Sequence, residues 1–179
     1  MALTTLDIKE PGLNVLPPGV ERYIVEGGGL TGIQILPDDE IEIINNEGNQ
    51  ICEISVFNKD GKSELAILGL KEIKENSEIK KILLKKDETS LQALLQLKKR
   101  NLNIEKSKSS VVFDKKTKAG ESLKFKSKDK CYCIIAAPGN EMMVHEQNPS
   151  TELTVMIKRS VVKKDKEFSI IPDPVYDPS

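Results

Sequence analysis

The sequence predicts an α+β domain that is mainly β, an antiparallel barrel or sandwich of about eight strands with a helical insert near residues 63–105. Three observations lead to this prediction. Short stretches on both sides of the insert alternate apolar with polar residues, turn residues separate those stretches, and the longest stretch with helical spacing lies inside the insert. A chain of 179 residues is also long enough to bury a core without disulfide bonds.

The first third of the chain supplies strands that are separated by turns. Residues 1–20 contain three prolines and two glycines, which predict an extended lead-in. Strands are predicted at about 21–26 and 31–36, on either side of a glycine turn. Residues 41–56 are predicted to form a hairpin around the turn at 46–49, Asn-Glu-Gly-Asn.

The rest of the chain contains the predicted helix and further strands. Residues 87–101 have leucines near helical spacing, polar capping residues before them and Lys98-Lys99-Arg100 at the end, a pattern typical of a helix. Strands are then predicted near 109–116, 122–130, 131–137 and 153–162. We expect one β-rich domain over 21–170, followed at 171–179 by a proline-rich tail or linker.

The charge distribution argues against nucleic acid and membranes as partners. The net charge is −1, and nearly all basic residues are lysine rather than the arginine that nucleic-acid readers favour. Residues 1–60 carry three basic and eleven acidic groups, whereas residues 61–130 carry nineteen basic and ten acidic groups. The simplest interpretation is a solvated lysine-rich face, and the opposed charges also suggest a salt-sensitive homodimer.

The three cysteines fit a reducing cytoplasm, and we expect no secretory signal and no transmembrane span. Cys131 and Cys133 are expected to point to opposite faces of a strand, which would keep them from binding one ion together. A zinc site needs four ligands, and only Cys52 and His145 remain as candidates. The sequence therefore predicts buried structural cysteines and no metal site.

Gly27, Gly29 and Gly32 match the spacing of a dinucleotide-binding loop. Such a loop must open onto a helix, whose N-terminus holds the pyrophosphate. Here the next residues, Ile33 to Leu36, are β-patterned and end at Pro37. A glycine-rich hairpin turn is the better interpretation.

Two polar turns are candidates for ligand binding, and no residue is assigned as catalytic. Asn49 and Gln50 lie at a predicted strand-to-strand turn, where their amides could bind a small carboxylate or amide, although a plain hairpin turn is the better explanation. A second polar loop follows the strand at 131–137 and holds the chain's only histidine. Its candidate residues are His145, Glu146, Gln147 and Asn148.

Two segments together resemble known families. Residues 38–61, DDEIEIINNEGNQICEISVFNKDG, resemble a strand-EGNQ-strand block of the urea-carboxylase-associated domain family. Residues 137–159, APGNEMMVHEQNPSTELTVMIKR, resemble the closing block of an N-terminal accessory domain found in proteins that end in a glycine-cleavage T-protein-like aminomethyltransferase module. The residues that fit the second block are Pro138, Gly139, Met142, Gln147, Asn148, Pro149, Thr151, Glu152, Leu153 and Arg159.

These resemblances imply an accessory role in docking, substrate gating or oligomerisation beside a T-protein-like catalytic module or subunit. That module would hold tetrahydrofolate, and no cofactor is expected on this chain. The alternative is a small-ligand amide hydrolase or deaminase-like domain of the urea-carboxylase-associated type, with a small amine or amide as ligand. This chain departs from the metal-dependent members of that family, because a lysine- and leucine-rich helical insert replaces their Cys- and His-rich region.

Overall fold

The computed structural model describes residues 8–9, 17–71, 74–75, 77–84, 88–114, 116–139 and 150–160. Within these ranges the strands are β1 (Ile8–Lys9), β2 (Val20–Val25), β3 (Leu30–Ile35), β4 (Glu40–Asn45), β5 (Cys52–Phe57), β6 (Lys74–Glu75), β7 (Lys108–Val112), β8 (Ser122–Lys126), β9 (Cys131–Ala136) and β10 (Leu153–Lys158). The helices are a 3-10 helix (Leu65–Leu68), α1 (Ser77–Leu83) and α2 (Glu88–Lys99).

The strands form two sheets. One has the order β2-β10-β4-β8 and is antiparallel throughout. The other has the order β1-β3-β9-β5-β7-β6, and is antiparallel except for the short parallel pair of β1 and β3. The prediction of a mainly β domain with antiparallel strands is confirmed, and the two sheets face each other like a sandwich rather than closing into a barrel.

Apolar side chains from both sheets fill the space between them. Ile41 and Ile43 of β4 alternate with outward-facing Glu40 and Glu42, which is the pattern of a strand with one face in a core. These isoleucines share one buried cluster with residues of the other sheet, such as Ile33 and Val56. Because Ile and Val dominate this layer, a chain without tryptophan still builds a dense core.

The helical insert covers the outer face of the six-stranded sheet. A second buried cluster joins Phe57 and Ile134 of that sheet to Ile79 of α1 and Leu97 of α2. All six residues of β5 are buried, since one face of this strand meets the sandwich core and the other meets the helices. The predicted helix at 87–101 is confirmed as α2. None of the helices in the described ranges is long and apolar enough to cross a membrane.

Both predicted hairpins are wrong in their pairing. β4 and β5 are consecutive in the chain but belong to different sheets, and the same holds for β2 and β3. The turns that follow β2 and β4 therefore carry the chain from one sheet to the other. The predicted loop between β9 and β10 also connects the two sheets, and each of these strands lies inside its sheet rather than at an edge.

Candidate functional site

Gln50 joins three chain segments at one end of the sandwich. Its side chain is buried, and its Nε2 donates hydrogen bonds to the carbonyl oxygens of Ile51 (2.8 Å) and Pro138 (2.9 Å). Its Oε1 accepts a hydrogen bond from the backbone N–H of Thr151 at 2.8 Å. Pro138 follows β9 and Thr151 precedes β10, so one amide group fixes the two ends of the connection between these strands. We call these contacts the Gln50 junction.

Two buried polar atoms near the Gln50 junction have no hydrogen-bond partner among the described residues. They are Oδ1 of Asn45 and Oγ1 of Thr151. Asn45 contacts the junction directly, because its Nδ2 donates to the carbonyl oxygen of Gln50 at 2.8 Å. Buried polar atoms usually have a partner, so an ordered water or a small polar ligand would be stabilised at this place.

The glycine turn after β2 packs against the same end of the sandwich. A Cβ on Gly27 would lie 2.5 Å from the carbonyl oxygen of Ser150, which explains why the chain has no side chain there. Gly28 donates to the carbonyl oxygen of Ala137 at 2.7 Å. The turn leads into β3 and not into a helix. The predicted glycine turn is therefore confirmed, but the predicted hairpin is wrong, because the turn crosses between sheets.

The structure describes two of the six predicted ligand-binding residues. Asn49 is exposed, adopts a positive φ of 60° and donates its N–H to the carbonyl oxygen of Thr117, so it forms part of a turn. Gln50 is buried, with both of its amide hydrogens and one acceptor position used inside the domain. The other four, residues 145–148, lie outside the described residues.

A buried ionic cluster lies at the opposite end of β10. Arg159 directs Nε and Nη2 to the two carboxylate oxygens of Glu21, at 2.8 and 2.7 Å, and Nη1 to Asp39 at 2.7 Å. Nη1 also donates to the carbonyl oxygen of Gln34 in the other sheet, at 2.9 Å. We call this set of contacts the Arg159 clasp. It ties the C-terminal end of β10 to both sheets.

Further hydrogen bonds complete the Arg159 clasp. Tyr23 donates its hydroxyl to Glu21, and Asp39 accepts hydrogen bonds from the backbone N–H groups of Leu36 and Ser160. Burial, the hydrogen bond to Glu21 and the negative charge of Glu21 together raise the pKa of Tyr23 above its ordinary value. Burial opposes the positive charge of Arg159, but the two carboxylates outweigh that cost and raise the pKa of its guanidinium.

The Arg159 clasp is not among the sites predicted from the sequence, although the sequence contains a signal for it. Glu21, Tyr23 and Val25 alternate along β2 and point toward the core, so a carboxylate occupies a position that the alternation reserves for apolar side chains. A buried carboxylate needs a cationic partner. Arginine is the residue best suited to this role, because its guanidinium group can form a bidentate hydrogen bond with the carboxylate. The chain has three arginines among its 27 basic residues.

The predicted geometry of the cysteine pair is wrong. Residues two apart in a strand share a face, and the sulfur atoms of Cys131 and Cys133 lie 3.9 Å from each other in the core. All three cysteines are free and buried, as predicted. No group of three or more His, Cys, Asp or Glu side chains that could hold a metal ion occurs among the residues that the structure describes.

Glu53 is a further buried carboxylate, on the helix-covered face of β5. It accepts hydrogen bonds from Ser109 Oγ, at 2.8 Å, and from the backbone N–H groups of Glu78 and Ile79 in the first turn of α1. The carboxylate thus satisfies N–H groups that a helix leaves unpaired at its start, and it anchors α1 to the sheet. Burial raises the pKa of Glu53 more than these hydrogen bonds lower it.

We expect the Glu53→Gln variant to change how stability depends on pH. The pKa of Glu53 is raised in the folded state, so the folded protein holds this proton more tightly than the unfolded chain does. The stability that the protonated side chain contributes is therefore lost as pH rises above the ordinary glutamate pKa of about 4.3. Glutamine cannot lose a proton. Urea unfolding at several pH values should show the variant gaining stability relative to the parent as pH rises from about 4 to about 7.

The matched control for this experiment is Glu47→Gln, because Glu47 is exposed in the turn after β4. As a substitution at an exposed position, it should change the free energy of unfolding by no more than about 0.5 kcal/mol at each pH. If the stability difference between Glu53→Gln and the parent were constant over the same pH range, the raised pKa of Glu53 would be refuted.

The chain is similar to part of a longer enzyme. No protein-family model matches the chain. The chain is 36% identical over 172 residues to a trimethylamine-oxide aldolase from Ruegeria pomeroyi. The aligned region covers 96% of this chain but 22% of the aldolase. The chain therefore spans about a fifth of the length of the curated relative that it matches.

Proposed function

We propose that this chain is an accessory domain or subunit of a larger enzyme that processes small amines or amine oxides, with no reaction of its own. The observation that carries the proposal is the extent of the likeness to the trimethylamine-oxide aldolase: nearly the whole chain aligns with a minor part of a much longer enzyme. A segment of that size is comparable to one domain. The chain would serve the larger enzyme by docking, gating substrate or promoting oligomerisation.

The catalytic module of this larger enzyme is proposed to be a folate-dependent aminomethyltransferase of the glycine-cleavage T-protein type. The resemblance of residues 137–159 to the closing block of such accessory domains supports this assignment. Tetrahydrofolate would bind the catalytic module and not this chain. The proposed substrate class and the proposed catalytic module are compatible. An amine oxide carries its carbon groups on nitrogen, and a folate-dependent aminomethyltransferase takes a one-carbon unit from an amine.

The positions of the shared block residues support a structural role. The carbonyl oxygen of Pro138 and the N–H of Thr151 belong to the Gln50 junction, Leu153 is buried between the sheets, and Arg159 forms the clasp. Each of these residues holds the domain together. Four of the ten matching residues therefore have structural roles, as a shared scaffold would require, whereas a shared reaction would require shared reactive groups.

Affinity capture from the cells that make this protein tests the association. The tagged 179-residue chain, cross-linked before lysis, should recover an aminomethyltransferase-type enzyme in near-stoichiometric amount, as identified by mass spectrometry. A tagged β-sandwich domain of unrelated sequence is the control. Recovery of the chain alone, at expression levels close to the natural one, would contradict the association.

A second candidate function is a small-ligand domain of the amide hydrolase or deaminase type. Two unpartnered atoms beside the Gln50 junction favour it: Asn45 Oδ1 could accept a hydrogen bond from an amine or amide, and Thr151 Oγ1 could accept or donate one. A ligand at about a hundred times its dissociation constant should stabilise the fold by about 2.7 kcal/mol. A thermal-shift series with small amines and amides, repeated on Asn45→Leu, would reveal such a ligand. No shift in the parent chain would refute this candidate.

A further inference from the structure

Helix α2 has apolar residues on two opposite faces. Ala93 and Leu97 are buried against the six-stranded sheet. Leu91 and Leu95, one turn apart, point away from it and are 55% and 60% exposed. Two neighbouring leucines on the outer face of a surface helix are unusual, because that face normally carries charged or polar residues. The outer face of α2 thus has the character of an interface.

Charged residues frame this leucine pair with opposite signs. Glu88 lies three residues before Leu91, and Lys98 lies three residues after Leu95; both are exposed. The spacing 88, 91, 95 and 98 keeps all four side chains on one side of the helix. The order along this side is acidic, leucine, leucine, basic. In an antiparallel pair of such helices, the acidic end of one helix therefore lies opposite the basic end of the other. We call these four residues the α2 face.

We propose that the α2 face binds the α2 face of a second copy of this chain, with the two helices antiparallel about a two-fold axis. In this arrangement Leu91 packs against Leu95 of the second copy, and the reverse contact follows from the symmetry. Glu88 meets Lys98 of the second copy, again twice. A parallel arrangement is disfavoured, because it would place Glu88 against Glu88 and Lys98 against Lys98.

The size of the α2 face predicts a weak dimer for the isolated chain. One 12-residue helix from each copy buries less than the roughly 1,000 Å² expected of a stable specific interface. The dissociation constant should therefore lie in the range of about 10 μM to 1 mM. Inside a larger assembly, the same contact would strengthen when several copies are held together. This inference is independent of the proposed function.

Sedimentation velocity on the full chain at concentrations from about 10 μM to 1 mM tests the dimer. The parent should shift reversibly from monomer to dimer, and Leu91→Glu and Leu95→Glu should stay monomeric over this range. Both variants should keep the parent's circular dichroism and melting temperature, since the leucines are exposed in the monomer. Ile24→Glu is the control: Ile24 is 41% exposed on β2, outside the α2 face, and its variant should dimerise like the parent.

Charge reversal tests the antiparallel direction. Glu88→Lys and Lys98→Glu should each weaken dimerisation about tenfold, because each replaces two attractive contacts by two repulsive ones. An equimolar mixture of the two variants should recover the parent's affinity to within about threefold. A monomeric parent at 1 mM, a dimer that survives Leu95→Glu, or single charge variants that dimerise like the parent would each overturn the proposal.

Discussion

Replacing Arg159 with methionine is expected to lower the free energy of unfolding by about 3–5 kcal/mol, the cost of breaking a buried ion pair by removing one partner. Methionine has a similar length but leaves Glu21 and Asp39 buried without their cation. The melting temperature should fall by about 10 °C for a domain of this size. Urea unfolding followed by circular dichroism gives the free energy directly.

Two further variants separate the lost charge from lost packing. Arg22→Met alters an arginine that is exposed on β2, and its free energy of unfolding should stay within about 0.5 kcal/mol of the parent. Replacing Arg159 by Met together with Glu21 by Gln and Asp39 by Asn should recover part of the loss. No charge then remains buried, and the amide oxygens can still accept from Tyr23, Leu36 and Ser160. An Arg159→Met variant as stable as Arg22→Met would show that the clasp contributes nothing.

Replacing Gln50 with alanine is expected to lower the free energy of unfolding by about 2–4 kcal/mol. The change removes three hydrogen bonds and leaves the carbonyl oxygen of Pro138 and the N–H of Thr151 without their partner. The loss should also be local: amide hydrogen exchange at Thr151 should accelerate more than exchange in the core of β10. Exchange measured by NMR resolves this single amide.

The Gln50→Glu variant separates the donor contacts of the Gln50 side chain from its acceptor contact. It keeps the shape and the acceptor for Thr151, but it places an oxygen where Nε2 donated to Ile51 and Pro138. Its loss of stability should equal or exceed that of Gln50→Ala. Gln92→Ala, on the exposed side of α2, is the control and should be nearly neutral. Unchanged exchange at Thr151 in both Gln50 variants would refute the junction's role in fixing the β9–β10 connection.

The strands could be predicted from the sequence, but their partners could not. Alternation in 41–45 and 153–158 reports which side chains face a core, and the structure confirms these strands. Alternation says nothing about which strand lies alongside, so the sequence predicts a hairpin wherever a short turn joins two strands. The turn after β4 instead crosses to the other sheet, where Gln50 holds it against the ends of the β9–β10 connection. Long-range hydrogen bonds of this kind leave no local pattern.

The candidate site could be predicted only in outline. The turn with Asn49 and Gln50 does lie beside the start and end of the second polar loop, since Gln50 contacts Pro138 and Thr151. The role of Gln50 was not predictable, because an amide in a turn can face solvent or the interior with equal ease. The Arg159 clasp depends on residues 138 and 120 positions away in the chain, at Glu21 and Asp39, and such pairing emerges only once the sheets have formed.

A domain replacement in the Ruegeria pomeroyi aldolase tests the central claim most directly. One variant of that enzyme lacks the segment that matches this chain, and a second carries this chain in its place. We predict that the isolated chain does not consume trimethylamine oxide, that the deletion variant loses nearly all activity, and that the replacement variant recovers activity to within about tenfold of the parent enzyme. Turnover of trimethylamine oxide by the isolated chain, or a folded replacement variant no more active than the deletion, would contradict an accessory role.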